Sequence, residues 1–412
     1  MSECSCGQAT YEVSAGNHAR QATVVSVPCE CQGQAECECG CCDPEVCECG
    51  HQSDCPCDGQ HAVWELDHRG RRVRQVPSQC VCGPDGCRLL WLVTHLPAGA
   101  TRRYGVTQAE ESAQIPSISG GVQVHLEDGK QADFFLGPAP FTSYIFRHGI
   151  ARPYCYPVYG PGTLQVTNFA PHDHPHHKSM YVAHGEVNGH DNWSELEGHA
   201  STVNTRVEVI AQGPITGVIR SVSDWVSARG DKLLREITTI AAYDLGPEVR
   251  VMDWRIVWYA AYGGVYLGDT KEAGTISIRV AESMEENRGG RIVNAYGAVT
   301  EAECWGRRAP WVDYYGPVGK EILGIAVFDH PSNFRHPTWW HVRSYGLFTA
   351  NQWGIHEFTG DWSQRGDHTL RPGEKLVFNF RVYIHRGDTQ AGDVAGHYLD
   401  YAFPPKVERV ED

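Results

Sequence analysis

Residues 248–259, EVRVMDWRIVWY, alternate in character along almost their whole length. Val249, Val251, Asp253, Arg255 and Val257 fall on one parity, and Arg250, Met252, Trp254, Ile256 and Trp258 on the other. A period of two belongs to the β-strand, whose successive side chains leave opposite faces. Branched and aromatic residues of this kind fit a pleated, half-buried surface. Similar runs recur on both sides: TVNTRVEVIAQ, TGVIRSVSDWV and KLLREITTIAAY before it, TISIRVAESM, ILGIAVFDH and KLVFNFRVYIH after it. Nearer the N-terminus stand HAVWEL, RRVRQVP, RLLWLVTHL, GGVQVHLEDG and PFTSYIF. Each is bounded by Gly, Pro, Asn or Asp, the punctuation of antiparallel sheets. Amphipathic stretches of helical period longer than about ten residues are scarce. The pattern predicts an all-β protein built as one large antiparallel β-sandwich.

With 412 residues, 12 Trp, 18 Tyr and 12 Phe, the chain has ample material for a core. A formal charge of −15 argues against nucleic acid and anionic membranes as partners, since both require a basic face. No run approaches the roughly eighteen apolar residues of a spanning helix. The opening MSECSCGQAT has neither the charged nor the apolar region of a secretory signal, so a cytoplasmic location is expected. Cysteine density makes an extracellular location the alternative.

Of the 17 cysteines, fifteen fall between Cys4 and Cys87. Residues 29–60 hold almost no large apolar side chain and cannot form a core of their own. This insert carries Cys29, Cys31, Cys37, Cys39, Cys41, Cys42, Cys47, Cys49, Cys55 and Cys57. Three states are open to it: disulfide staples, a thiolate cluster around soft metal ions with His51 and His61 as further ligands, or a reduced segment. In none is it expected to be the catalytic centre; it reads as an assembly surface through which homo-oligomers would form. The expected organisation is an N-terminal strand region of the sandwich (1–28), the insert (29–60), and the sandwich with its site (61–412).

The densest chemistry lies at 172–193, HDHPHHKSMYVAHGEVNGHDNW. In an extended segment His172, His174 and His176 would point one way, Asp173 and His177 the other, with Pro175 holding the stretch to an edge or loop. Such imidazoles suit either a metal or neutral acid–base work. Glu186, Asn188, Asp191 and Trp193 follow on a Gly-punctuated loop whose acceptors, amides and aromatic plate suit a polyhydroxylated ligand. Three further stretches combine charge with aromatic residues: GDTKEAGTISIRV with Lys271, Glu272 and Arg279; CWGRRAPWVDYYGP; and FDHPSNFRHPTWWHVRSYGLFTANQWG with Trp340, His341, Arg343, Tyr345 and Asn351. On a sandwich such segments converge at strand ends and loops.

These blocks, in this order and spacing, resemble the signatures of the DUF6807 family over roughly residues 85–390; RRYGV and FTSYIF…RPYCYPVYGPG resemble it too. The Cys-rich insert does not. The resemblance implies a β-sandwich of the galactose-mutarotase-like (supersandwich) kind, in a family whose members accompany sugar-metabolising oxidoreductases. The family also carries the label methane oxygenase PmoA. An integral copper monooxygenase subunit would need several membrane spans, and the sequence has none.

The leading expectation is a carbohydrate-active enzyme performing acid–base chemistry (epimerisation, elimination or hydrolysis) on a sugar or sugar derivative. Glu272 is the candidate base, and His177 or His341 the acid. Lys271, Arg279 and Arg343 would orient hydroxyl or carboxylate groups, and Trp193 or Trp340 would stack on the sugar. Asp173, Asn188, Asp191 and Asn351 complete the candidate binding set. One alternative makes His174, His176 and His184 ligands of Zn or another transition metal in a hydrolase or oxidase. Another is a non-catalytic assembly protein that uses the insert. No nucleotide cofactor is expected.

Overall fold

The computed structural model describes residues 9–29, 61–83, 86–109 and 115–410. Two antiparallel eight-stranded sheets face each other across one apolar core. The alternating strand Val249–Tyr259 lies in the middle of one of them, between Lys232–Tyr243 and Lys375–Arg386. Its alternation is used as expected. Met252, Trp254, Ile256 and Trp258 enter the shared core, while Val251 packs beneath the helix Val394–Ala402 and Asp253 pairs with Arg381 at 2.6 and 2.8 Å. Burying each such large side chain contributes about 1.5–3 kcal/mol, which fixes the register of the whole sheet.

We call this the back sheet. The opposite, site-bearing sheet runs in the order Trp339–Val342, Leu347–Asn351, Ala273–Arg279, Met180–His184, Tyr154–Val158, Ala139–Ile145, Gln131–Leu136 and Val122–Glu127. Met180, Val182, Ile276, Ile278, Phe348, Ala350, Trp340 and Val342 supply its side of the core. Residues of opposite parity on the same strands therefore form its outer face.

The strands before residue 110 do not extend the two large sheets; they form two smaller sheets, one of which also takes in the C-terminal strand Lys406–Val410. Ala9–Ser14 lies between Lys406–Val410 and Thr101–Gln108, and the latter continues to His61–Leu66 and Arg72–Val76. Thr23–Pro28, Gly86–Val93 and Ser78–Gly83 make a second, three-stranded sheet. Their apolar parities, including Val13, Val25, Val63, Trp91 and Tyr104, close on a separate core, so these strands bury their faces without the large sheets. The side chain of Gln79 ties them to the sandwich: its Oε1 accepts the N–H groups of Ile215 and Thr216 at 3.0 and 2.9 Å.

Cys29 is the one insert cysteine among the described residues; Cys31, Cys37, Cys39, Cys41, Cys42, Cys47, Cys49, Cys55 and Cys57 lie outside them, as does His51. A disulfide joins Cys82 to Cys87, directly opposed residues of a hairpin beyond the insert. The Sγ of Cys29 stands 3.9 Å from that of Cys80, which is 3.8 Å from Nδ1 of His61.

Candidate functional site

The 172–177 stretch is turned, not extended. The His174 N–H bonds the Pro171 carbonyl and the His177 N–H bonds the His174 carbonyl, which folds the imidazoles together over the outer face of the site sheet. The rings of His174 and His177 lie 4.7 Å apart and nearly parallel, and His174 stacks equally closely on Tyr345. His176 meets His177 edge-on at 4.5 Å, and Trp193 closes the side at 6.0 Å from His177.

Arg279 anchors the group. Its guanidinium is buried, donates to Nδ1 of His177 at 3.3 Å, and reaches Asp173 and Glu285 at 3.3 and 3.2 Å. The Tyr345 ring covers it, with the guanidinium carbon 5.1 Å from the ring centroid. Because guanidinium has only donors, Nδ1 of His177 must be the acceptor and Nε2 carries the proton. Burial, followed by the charges of His176, His174 and Arg279, drives the His177 pKa far below the ordinary imidazole value. His177 is thus a neutral hydrogen-bond donor.

Beneath this cap, the strand register aligns four side chains across four strands. Tyr181 opposes Ser277, Ser277 opposes Thr349, and Thr349 opposes His341. All four are at most 2% exposed, and Tyr181 Oη, Ser277 Oγ and Thr349 Oγ1 have no hydrogen-bond partner. A β-bulge near Gly274 keeps room for the row: a Cβ there would overlap Ser277 Oγ and the Thr349 methyl. Leaving a buried hydroxyl unpaired costs about 1–3 kcal/mol, so three on one face is an expensive arrangement unless something completes it.

His341 ends the row. Its Nδ1–H donates to the Lys271 carbonyl at 2.8 Å, so Nε2 presents a lone pair. Burial lowers its pKa, and the carboxylate of Glu272 acts against that shift. Glu272 also exerts its charge on His176, Tyr181 and Tyr345. The Glu272 carboxylate is 44% exposed and lies 3.2 Å from the Lys271 ammonium, which also pairs with Glu357 at 3.0 Å. Arg343 is paired with Glu301 at 2.8 Å.

His177, His341, Glu272, Lys271, Arg279, Arg343, Asp173 and Trp193 therefore gather around one region. Other expectations are corrected. Met180–His184 alternates, so Tyr181 and Ala183 face the site while His184 points into the sandwich core, against Trp258 and Trp353. There burial alone lowers its pKa to about 3. It cannot join His174 and His176, and among the described residues no three His, Cys, Asp or Glu groups come together as a metal-binding set. Trp340 has the same parity problem: it is core, with Nε1–H donating to the Ala309 carbonyl at 2.8 Å, and is closed to a sugar.

Three polar candidates are occupied by local structure. Asn351 Oδ1 accepts the N–H groups of Trp353 and Gly354, while its amide binds the carbonyls of Thr270 and Lys271. Asn188 brackets the neighbouring strand through Tyr266 N–H and the Gly264 carbonyl. Asp191 caps the turn at Trp193 and Ser194. Asn351 still serves the site by holding the 270–271 backbone to which His341 bonds. Tyr181, Ser277 and Thr349 escaped the sequence reading. Their signal was the polar parity of TISIR, where Ser277 and Arg279 alternate with Ile276 and Ile278.

A cavity of about 470 Å³ lies elsewhere, between residues 146–151 and the edge strand Ser201–Ala211. Its lining includes His148 and His199 but none of Tyr181, Ser277, Thr349, His341, His174, His176 or His177.

Residues 131–399 match the model of DUF6807, described as a family of unknown function. The chain belongs to the DUF6807 family. That match spans the imidazole cap, the row and Arg279, and leaves the N-terminal sheets and the insert outside. Among solved structures, this DUF6807 chain is similar to the crystal structure of an alpha-mannosidase from Enterococcus faecalis V583, at 9% identity and a TM-score of 0.42. The likeness covers 98% of this chain and 46% of that one, so the chain spans about half that protein's length. No curated protein matches the DUF6807 chain.

Proposed function

We propose that this DUF6807 chain is a carbohydrate-active enzyme that performs acid–base chemistry on a sugar or sugar derivative bound over the Tyr181–Ser277–Thr349–His341 row. The observation that carries the reading is the row itself: buried hydroxyls without partners and an imidazole lone pair, on the face that also carries His177 as a neutral imidazole donor. Hydroxyl groups of a sugar would complete those hydrogen bonds, and admission of the ligand requires the cap of His174, His177 and Tyr345 to move. Ring opening at a hemiacetal is the simplest reaction that fits. His341 Nε2 takes the anomeric hydroxyl proton, the C–O bond to the ring oxygen breaks as the carbonyl forms, and the resulting imidazolium returns that proton to the ring oxygen. His177 Nε2–H hydrogen-bonds the oxygen on which charge develops, a task for which a donor held neutral is suited. Glu272 then favours the transient His341 cation instead of serving as the base itself.

The test is polarimetry or NMR exchange of anomers across a panel of aldoses. Wild type should accelerate interconversion for at least one sugar, and His341→Gln should lose about 10²–10⁴-fold of that acceleration while keeping its melting temperature within a few degrees. Acceleration that survives His341→Gln would remove the residue from the chemistry. Absence of both binding and acceleration across the panel would end the proposal.

A further inference from the structure

The charges around the row are already spoken for. Arg279 is held by Asp173, Glu285 and His177, and Lys271 by Glu272 and Glu357. Arg343 is held by Glu301. On the Trp193 side, Glu195 binds both Arg152 at 2.8 Å and Lys178 at 3.1 Å. Every one of these cations has a carboxylate within 3.3 Å, and two of them have two. His176, His177 and His341 are all shifted towards the neutral form, and His174 is paired with Asp173 at 2.8 Å. What the row offers a ligand is hydroxyl, imidazole and indole, with Glu272 close enough for its charge to be felt by His341, Tyr181 and Tyr345.

We infer that the site is built for an uncharged sugar and discriminates against uronic acids and phosphosugars, an inference that rests on the sugar-type reading above. Among the described residues, an anionic substituent over the row would meet Arg279, Lys271 and Arg343 each already paired with a carboxylate, and would sit near Glu272. It would also approach a chain of formal charge −15. A like charge about 6 Å away, at the effective dielectric of a protein surface, weakens binding about 100-fold. The cations thus serve to fix the cap and the Lys271 carbonyl on which His341 depends, a positioning role.

Matched ligand sets test this on the full chain: a neutral hexose, its uronic acid and its 6-phosphate, with affinity read by calorimetry or saturation-transfer NMR. The neutral sugar is expected to bind at least about 100-fold more tightly than either anion. Glu357→Gln releases Lys271 from one carboxylate and Glu301→Gln releases Arg343 from its partner, and each should improve uronate affinity about tenfold, with little effect on the neutral sugar. Two substitutions on separate segments protect the test against one variant failing to fold. Anions that bind wild type as well as the neutral sugar would overturn the inference and leave the sugar-type reading standing. Failure of every sugar, charged or neutral, would overturn both.

Discussion

Both large sheets bury polar groups on their outer faces, and they treat them in opposite ways. On the back sheet, His385 Nε2 meets Asp313 Oδ1 at 3.2 Å, Thr389 donates to Asp313 Oδ2 at 2.6 Å, and the Tyr383 hydroxyl donates to the Gly392 carbonyl at 2.8 Å. The cluster is sealed and complete. On the site sheet, the Tyr181, Ser277 and Thr349 hydroxyls are equally buried and have no partner. A finished network stabilises the fold; an unfinished one costs stability and reserves hydrogen-bonding capacity for something that arrives later. The two faces should therefore respond to mutation with opposite signs.

The largest effect is expected on the closed face. Asp313→Ala leaves His385 buried without its carboxylate, and breaking a buried pair in this way costs about 3–5 kcal/mol. Denaturant unfolding should show that loss, and affinity for a sugar on the other sheet should not change in the molecules that remain folded. If Asp313→Ala proved nearly neutral, the closed network would not be a structural device and the contrast would fail.

Acid titration sharpens the comparison. Burial pulls the His385 pKa down, but the charge and hydrogen bond of Asp313 outweigh it and the net shift is upward. His385 therefore contributes stability that is fully present below its unfolded value of about 6.5 and is lost as pH rises through the higher folded value. His177 and His341 are shifted down. Their contribution is fully present above about 6.5 and is lost as pH falls from there towards their folded values, because only the unfolded chain then takes up protons. Each such imidazole steepens the acid limb by about 1.4 kcal/mol per pH unit. His341→Gln should flatten the limb just below pH 6.5 by up to about that slope. His385→Gln should leave it steep, and its deficit against wild type should shrink above pH 6.5. Urea titrations at fixed pH values decide this; identical acid limbs in wild type and His341→Gln would contradict the burial argument.

The sheet architecture was legible because alternation is a local property: Met252, Trp254, Ile256 and Trp258 announce a core face without knowledge of their partners. The site was legible only as a neighbourhood. Residue types at 172–193 and 269–279 named the strands and loops that converge, yet parity within Met180–His184 and Trp339–Val342 decided that Tyr181 and His341 face the site while His184 and Trp340 do not. Histidine and tryptophan counts carry no parity until the strand register is known. The row was invisible for the complementary reason. Serine and threonine inside strands are common, and their lack of partners is a property of three neighbouring strands taken together. The turn at 171–177 also defeated the extended reading, because its hydrogen bonds run between backbone groups that side-chain identity does not report.

The smallest expected effect is the most discriminating. Ser277→Ala, Thr349→Val and Tyr181→Phe each delete a hydroxyl that has no partner in the folded chain. Removal of a paired buried hydroxyl costs about 1 kcal/mol, whereas removal of an unpaired one relieves a desolvation cost and should leave stability unchanged or raise it by up to about 1 kcal/mol. The same substitutions should weaken sugar binding about two- to tenfold each, since a lost ligand hydrogen bond is worth about 0.5–1.5 kcal/mol. A stability gain paired with an affinity loss is the signature of a group held for a ligand. Stability losses of about 1 kcal/mol or more in all three would mean that the hydroxyls are satisfied within the fold, and the two outer faces would then be alike.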